Sequence, residues 1–184
     1  MKLNRLFLLS VSLFISLSLL AQAERSIKLK NDVVQLQPNI KKAFIDSFNT
    51  KVARFGTKAF AILQFENIPS EETKKLLLAN GIELLEYVPD NAYTVSISGT
   101  PSIAVLEQAK ARSIFQPTPE QKMETRLASG SIPASAIKIP GTMDVWISFA
   151  KSFSSQEVVN TLRQLNFDIL SSQFVWCNNH QKFF

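Results

Sequence analysis

The pattern of hydrophobic and polar positions is most regular between residues 60 and 97, where it predicts a strand, a helix, a strand, a tight turn and a strand. Residues 60–65 are apolar and rich in large side chains, which is typical of a buried strand. Residues 82–87 resume the extended pattern after the helix. Residues 92–97 then alternate, so that large side chains lie on one face of the third strand and small ones on the other.

Local chemistry predicts where these elements begin and end. Ser70 can cap the helix, and Glu71 and Glu72 place negative charge at its positive end. Gly81 stands where a residue in the left-handed conformation would end the helix. Pro89 fixes φ at the second position of the turn. Each predicted boundary therefore has its own physical reason.

A second helix and a fourth strand complete this unit. Thr100 followed by Pro101 predicts a capped helix that runs to about residue 111, and residues 113–116 are predicted to form a brief strand. Residues 57–116 thus follow the order β-α-β-β-α-β, which is the ferredoxin-like order. We expect an α+β fold in which four antiparallel strands carry both helices on one face of the sheet.

An adaptor segment, residues 24–56, precedes this unit. Residues 32–37 suit an extended chain. A short helix follows, in which Ile40, Phe44 and Phe48 share one face at four-residue spacing. The segment is predicted to be an amphipathic extension of the unit that follows it, because it holds too few elements for a domain of its own.

Residues 117–142 form a linker rich in proline and glycine, with room for a short helix at residues 120–127. Residues 143–184 then repeat the opening half of the first unit. Because the sequence ends before a second helix and a closing strand, we expect this second unit to be incomplete. The predicted organisation is therefore an adaptor, a ferredoxin-like unit, a linker and a truncated unit of the same kind.

The second unit is predicted element by element from the same signals. Residues 144–149 suit a strand, and Ser154 with Glu157 matches a capping box at the start of a helix. Residues 167–170 are predicted to return as a strand, and residues 174–177 to begin another.

Residues 1–23 are predicted to be a signal peptide. Two basic residues precede an apolar run at residues 6–20, and Ala21 and Ala23 fit the small-x-small cleavage pattern, with cleavage after Ala23. A retained membrane anchor is the alternative, but the run is short for a membrane span and ends in a cleavage pattern. We therefore expect a secreted or periplasmic mature chain with no membrane segment.

The composition indicates a hydrophobic core and a contact surface. Hydrophobic residues make up 46% of the sequence, and phenylalanine dominates the aromatic residues, with 14 Phe against two Trp and two Tyr. The formal charge of +5 falls to +3 without the two basic residues of the signal, and the lysines are scattered, so we expect no nucleic-acid partner. The single cysteine allows no internal disulfide.

The residues that could carry catalysis are few. Cys177 and His180 are the only cysteine and the only histidine, and their closeness leaves open a nucleophile–base pair or a metal site. Two ligands do not make a zinc site, and a base near the end of the chain is poorly held. The alternative is a buried strand thiol beside a terminal histidine. The sequence also contains no glycine-rich phosphate loop. We expect no enzymatic activity from this chain alone, with no catalytic residue, no metal and no cofactor.

The predicted sheet is apolar on both faces, whereas the face without helices should be polar if it meets water. Such an apolar open face indicates an interaction surface. The candidate contacts are Phe60, Ile62, Leu85 and Tyr87, or the opposite set with Tyr93. The alternative is that the face packs against the adaptor segment or the second unit.

Three motifs carry a resemblance to a known family: NIPS at residues 67–70, GIELLEY at residues 81–87 and PDNAYTV at residues 89–95. Together they resemble the N-terminal propeptide region of secreted bacterial subtilisin-like serine peptidases. GSIPA and DVWISF in the later segments are similar to the same region, so that the resemblance covers roughly residues 51–175.

This resemblance implies a ferredoxin-like propeptide that assists folding of a subtilisin-like catalytic domain, in cis or in trans, and holds it inactive. In that family the open sheet face docks on the protease. The DTG, HGT and GTS motifs of the catalytic domain do not occur in this sequence. The chain is then either the N-terminal part of a serine endopeptidase precursor or a free-standing inhibitor-like protein. The alternative function is a secreted protein-binding or self-associating α+β module that uses the same face.

Overall fold

A computed structural model describes residues 26–36, 40–170, 174–177 and 180–183 of the chain. The predicted signal peptide and its cleavage site lie outside these residues. The strands are β1 (Ser26–Lys28), β2 (Val33–Gln35), β3 (Arg54–Phe55), β4 (Lys58–Phe65), β5 (Ile82–Val88), β6 (Ala92–Ser98), β7 (Ala111–Phe115), β8 (Ser148–Ala150), β9 (Phe174–Cys177) and β10 (His180–Phe183). The α-helices are α1 (Lys42–Lys51), α2 (Glu71–Ala79), α3 (Ile103–Gln108), α4 (Pro119–Lys122), α5 (Thr125–Ala128) and α6 (Ser155–Gln164).

The central sheet has the strand order β7-β4-β6-β5, and every neighbouring pair is antiparallel. The two-residue strand β3 also pairs with β4, at its first residues. Helices α2 and α3 connect β4 to β5 and β6 to β7, and each buries a leucine, Leu77 and Leu106, in one common hydrophobic cluster. The predicted α+β class with an antiparallel sheet is confirmed, and the arrangement is of the ferredoxin-like type.

The start and end of α2 follow the chemistry that the sequence predicts. The Ser70 hydroxyl accepts a hydrogen bond from the Thr73 amide at 3.3 Å, and Glu71 and Glu72 occupy the first turn. Gly81 has φ +78°, and a Cβ at this position would lie 2.6 Å from the Ser98 carbonyl oxygen. Only glycine fits there, because the backbone is left-handed and β6 passes close by.

Two boundaries in this unit differ from prediction. The turn after β5 places Asp90 and Asn91 at φ 68° and 56°, so the left-handed residues follow the proline. Asparagine and aspartate tolerate this conformation better than most residues. Helix α3 has Ser102 as its N-cap instead of Thr100, and it ends at Gln108, so that β7 begins earlier than predicted.

The adaptor segment splits between the two faces of the sheet. Phe44 and Phe48 of α1, and Ile40 just before the helix, pack into the cluster that contains Leu77, as the predicted spacing requires, and Ile45 is buried beside them. The hairpin β1–β2 packs against the opposite face of the sheet, where it forms a separate small cluster. The adaptor is therefore part of the fold of the unit and supplies side chains to both of its clusters.

The predicted linker begins with two one-turn helices that are tied to the hairpin. The helix predicted at residues 120–127 is broken into α4 and α5, and a capping box between Thr118 and Gln121 starts α4. Asn31 donates to the carbonyl oxygens of Glu120 and Met123, at 3.2 and 2.6 Å. The Gln121 amide donates to Asp32 at 2.7 Å, and the Thr125 hydroxyl donates to Asn31 at 2.7 Å. We call these bonds the polar clasp.

The second unit repeats less of the first than predicted. Strand β8 covers three residues, where residues 144–149 were expected. Helix α6 is present, but the Ser154 side chain makes no capping hydrogen bond, so the capping box does not form. The strand predicted at residues 167–170 is wrong: the segment is irregular. The strand at residues 174–177 is confirmed as β9, and β10 lies between β8 and β9 in an antiparallel sheet.

Candidate functional site

The sheet face opposite α2 and α3, here called the open face, carries two of the five predicted contact residues. Phe60 pairs with Ser96 and Ile62 pairs with Thr94. The intervening Ala61 pairs with Val95, which lies in the main cluster below the helices. Since neighbouring residues of a strand point to opposite faces, Phe60 and Ile62 lie on the open face.

Tyr87 and Tyr93 lie on the other face, together with the helices. The register shifts between Leu84 and Tyr87, so Tyr87 pairs with Tyr93, and the two rings meet edge to face with centroids 5.4 Å apart. Tyr93 packs against the main cluster, whereas Tyr87 is 52% exposed. Placing Tyr87 on one face with Phe60 is therefore wrong, because a bulge breaks the alternation. Leu85 lies within this bulge and is half-buried.

The hairpin β1–β2 covers one half of the open face. Ile27 of β1 is fully buried and forms a cluster with Ile62 and Ala92. Leu36 and Phe115 pack against the same cluster. This half of the apolar face is already occupied by the chain itself, as the alternative interpretation of the sequence predicts.

A turn before α6 covers the other half. The Phe153 ring stacks on Phe60 at 5.3 Å between centroids and meets Phe55 edge to face at 5.2 Å. The Lys58 ammonium group donates to the Ser152 carbonyl oxygen at 2.6 Å. Phe55 pairs with Lys58 across β3 and β4, so the register places it on the open face as well.

A second apolar surface, here called the apolar groove, lies between residues 138–147 and 162–170. It has a volume of about 500 Å³, and its exposed apolar lining comprises Ile139, Met143, Val145, Trp146, Phe167 and Leu170. The Asp144 amide donates to the Ala136 carbonyl oxygen at 2.8 Å, and Lys138 pairs with Asp144 at 2.6 Å. These two contacts close the loop that forms one wall of the groove. The sequence reasoning missed this surface, because residues 117–142 were interpreted as linker.

The titratable groups offer little chemistry. The pKa of Glu72 lies below its usual range because of a hydrogen bond from its own backbone amide and a second from Ser70. The pKa of Glu120 is lowered in the same way, by its own amide and by Thr118. A hydrogen bond to Glu71 raises the pKa of Lys74. Each shift belongs to the first turn of a helix, and no cluster of metal-ligating side chains occurs in the part of the chain that the structure describes.

Cys177 and His180 face each other in backbone register, since β9 and β10 pair at these two residues. Their side chains lie outside the described part of the chain, so the pair adds nothing to the candidate sites. Within residues 26–170 no helix is long and apolar enough to cross a bilayer.

Comparison with known proteins places β2 and the central sheet in one matched segment. A family described as "domain of unknown function (DUF8729)" matches residues 28–118, from the end of β1 to the N-cap of α4. No curated protein and no solved structure matches the chain. The apolar groove and the turn that carries Phe153 lie beyond the matched residues.

Proposed function

We propose that this chain is a secreted, propeptide-like module that binds a subtilisin-like serine peptidase, assists its folding and holds it inactive. The observation that carries the proposal is the strand order β7-β4-β6-β5 with α2 and α3 on one face. This is the arrangement that the sequence resemblance implies, and it occurs in the residues that carry the resemblance.

The three resembling motifs coincide with the places where the chain changes direction in this unit. NIPS leads into the N-cap of α2, and GIELLEY contains the left-handed Gly81 and most of β5. PDNAYTV contains the turn after β5 and the first half of β6. Since such positions fix the path of a small sheet, agreement at all three supports a common architecture more than a shared apolar composition does.

The proposed contact surface is the part of the open face around Phe60, which Phe153 covers in this structure, whereas Ile62 lies beneath the hairpin. Phenylalanine and isoleucine side chains suit a docking surface because they bury apolar area without leaving a polar group unpaired. Lys58 and Glu83 lie on the same face by register, so charged groups border its apolar area. The peptidase would be held by shape and apolar contact with this face.

The test is an inhibition and refolding assay with subtilisin-like peptidases encoded near the gene for this chain. We expect the purified mature chain to inhibit peptide hydrolysis with a dissociation constant of about 1 μM or tighter, as interfaces of standard size do. We also expect it to raise the yield of active peptidase after dilution from denaturant. A chain that does neither with any of these peptidases would contradict the proposal.

A matched pair of variants separates the proposed surface from a general loss of folding. Phe60→Ser removes an apolar group from the open face, and Leu78→Ser makes the same change at an exposed site on α2. We expect weaker inhibition by at least about tenfold for the first and unchanged inhibition for the second. Circular dichroism of both variants checks that the fold is retained.

The apolar groove favours a second candidate function, self-association with another copy of this chain. Ile139 is 65% exposed and Leu170 is 72% exposed, and monomeric proteins rarely leave such a cluster open to water. Light scattering across a concentration series tests this. Ile139→Arg should abolish any dimer, whereas Leu78→Arg, at 60% exposure on α2, should not. A chain that is monomeric at all concentrations would rule the candidate out.

A further inference from the structure

We propose that the segment of β8, the following turn and α6, residues 148–164, is an autoinhibitory cap that opens as one body and uncovers the aromatic half of the open face. The opening itself is a property of this chain and is inferred from its own contacts. Its regulatory meaning rests on the proposed function, since it determines when the open face can receive an apolar partner surface.

The contacts between cap and sheet centre on one turn. Phe153 stacks on Phe60 and meets Phe55 edge to face, and Lys58 donates to the Ser152 carbonyl oxygen. The turn is closed by the Phe153 amide, which donates to the Ala150 carbonyl oxygen at 3.1 Å. Phe153 and the Lys58 hydrogen bond therefore hold the turn against the sheet, and withdrawal of Phe153 would uncover two neighbouring phenylalanine rings.

Among the side chains that the structure describes, few are buried within the cap. Its hydrophobic cluster contains two buried side chains, Val158 and Val159, whereas the cluster below the helices of the main unit contains fourteen among the described residues. Elements that enclose few apolar side chains open at a lower free energy than the core of a domain does. We therefore expect the cap to open while the central sheet stays folded.

One polar group opposes closure. The Ser152 hydroxyl is buried and has no hydrogen-bond partner within the described structure. A buried hydroxyl without a partner has lost its bonds to water and gained nothing in return. Opening of the cap returns this hydroxyl to water. Its hydration offsets part of the free-energy cost of exposing Phe60.

The hairpin over the other half of the open face is held differently. The polar clasp ties Asn31 and Asp32 to the segment that carries α4 and α5. Ile27 is also fully enclosed, whereas Phe153 is only partly buried. This asymmetry identifies the cap as the side that opens and the hairpin as the side that stays closed.

Hydrogen exchange measured by mass spectrometry on the mature chain tests the opening without any partner. We expect amides of α6 to exchange at least about tenfold faster than amides of β4 and β6. Phe153→Ala should accelerate exchange in α6 further and leave β6 unchanged. Leu165→Ala, an exposed position at the end of α6, is the matched control and should change neither. Equal protection of α6 and β6, or equal acceleration in both by Phe153→Ala, would overturn the proposal.

Two further measurements test what opening exposes. Phe153→Ala should increase the fluorescence of the apolar dye 8-anilinonaphthalene-1-sulfonate, and adding Phe60→Ser should reverse the increase. With a peptidase that the wild-type chain inhibits, Phe153→Ala should bind several-fold more tightly, because closure no longer competes with binding. Weaker binding by this variant would overturn the autoinhibitory role. If no peptidase is inhibited by any variant while exchange and dye binding behave as expected, the proposed function fails and the opening cap stands.

Discussion

The main unit and the cap both place a helix beside antiparallel strands, but they are held together by different means. In the main unit, α2 and α3 close over one face of the sheet, so that Leu77 and Leu106 are fully enclosed. In the cap, α6 buries two valines against partly buried side chains, and one of these, Phe55, belongs to the main unit. The same elements thus give a self-sufficient core in one region and a dependent one in the other.

The difference shows that the enclosure of apolar side chains, and not the presence of helix and strand, determines whether a region can fold without its neighbours. A side chain that is covered on all sides contributes its full transfer free energy, whereas a half-covered one contributes a fraction. Because the cap takes part of its cluster from β3, we expect it to lose its structure when separated from the sheet. The main unit should not depend on the cap in the same way.

The largest expected effect is in the core of the main unit. Leu77→Ala should lower the free energy of unfolding by about 2–5 kcal/mol, since it leaves a cavity between α2 and the sheet. Leu78→Ala, at the exposed neighbouring position on the same helix, should change it by less than about 0.5 kcal/mol. Urea unfolding followed by circular dichroism measures both. Similar values for the two variants would mean that α2 is not packed as described.

The next effect concerns the end of α2. Gly81→Ala should destabilise the fold by about 2–4 kcal/mol, because an L-residue is strained at φ +78° and its Cβ would meet the Ser98 carbonyl oxygen. Gly99→Ala has a similar φ of +77° but no atom within 4 Å of the added Cβ, so it should cost only about 1–2 kcal/mol. Thermal unfolding of the pair isolates the contribution of the close approach. Equal losses of stability in the two variants would show that backbone strain alone accounts for the effect.

A smaller effect is expected in the cap. Val159→Ala removes one of the two buried valines and should cost about 1 kcal/mol of local stability. Because the cap opens before the sheet, the loss should appear as faster hydrogen exchange in α6, with the midpoint of global unfolding unchanged. A shift of the global midpoint as large as the local effect would show that cap and sheet unfold together.

The smallest effect depends on pH. The folded pKa of Glu72 is lowered by hydrogen bonds from its own amide and from Ser70, so its ionised form contributes stability above the usual carboxyl pKa. This contribution should disappear as the pH falls through the lowered pKa. The difference in unfolding free energy between the wild type and Glu72→Gln should therefore shrink toward acidic pH. A difference that grows there would contradict the assignment.

The parts of the fold that the sequence predicts are those fixed by local chemistry. The N-cap at Ser70 and the left-handed Gly81 are each specified by residues within a few positions, and both lie where expected. The apolar face of α1 follows from four-residue spacing in the same way.

The parts that could not be predicted depend on distant contacts. The bulge that moves Tyr87 to the helix face arises from the pairing of β5 with β6. A prediction that assumes strict alternation along one strand carries no information about this pairing. The strand expected at residues 167–170 has the right composition, but β10 takes the position beside β8. The sequence allowed cover of the apolar face by the adaptor or the second unit, but it could not identify the contact of Phe153 with Phe60, about ninety positions away.

The polar clasp has a consequence for the order in which the chain acquires its structure. The Asn31 side chain bonds to residues 89, 92 and 94 positions later in the chain. Closing so long a loop is entropically costly and slow compared with forming local helices. The chain is synthesised from its N-terminus, so the clasp cannot form before Thr125 has left the ribosome. Until then the hairpin that covers Ile62 lacks the clasp, and this interval is when the chain is most open to capture by a chaperone or to aggregation.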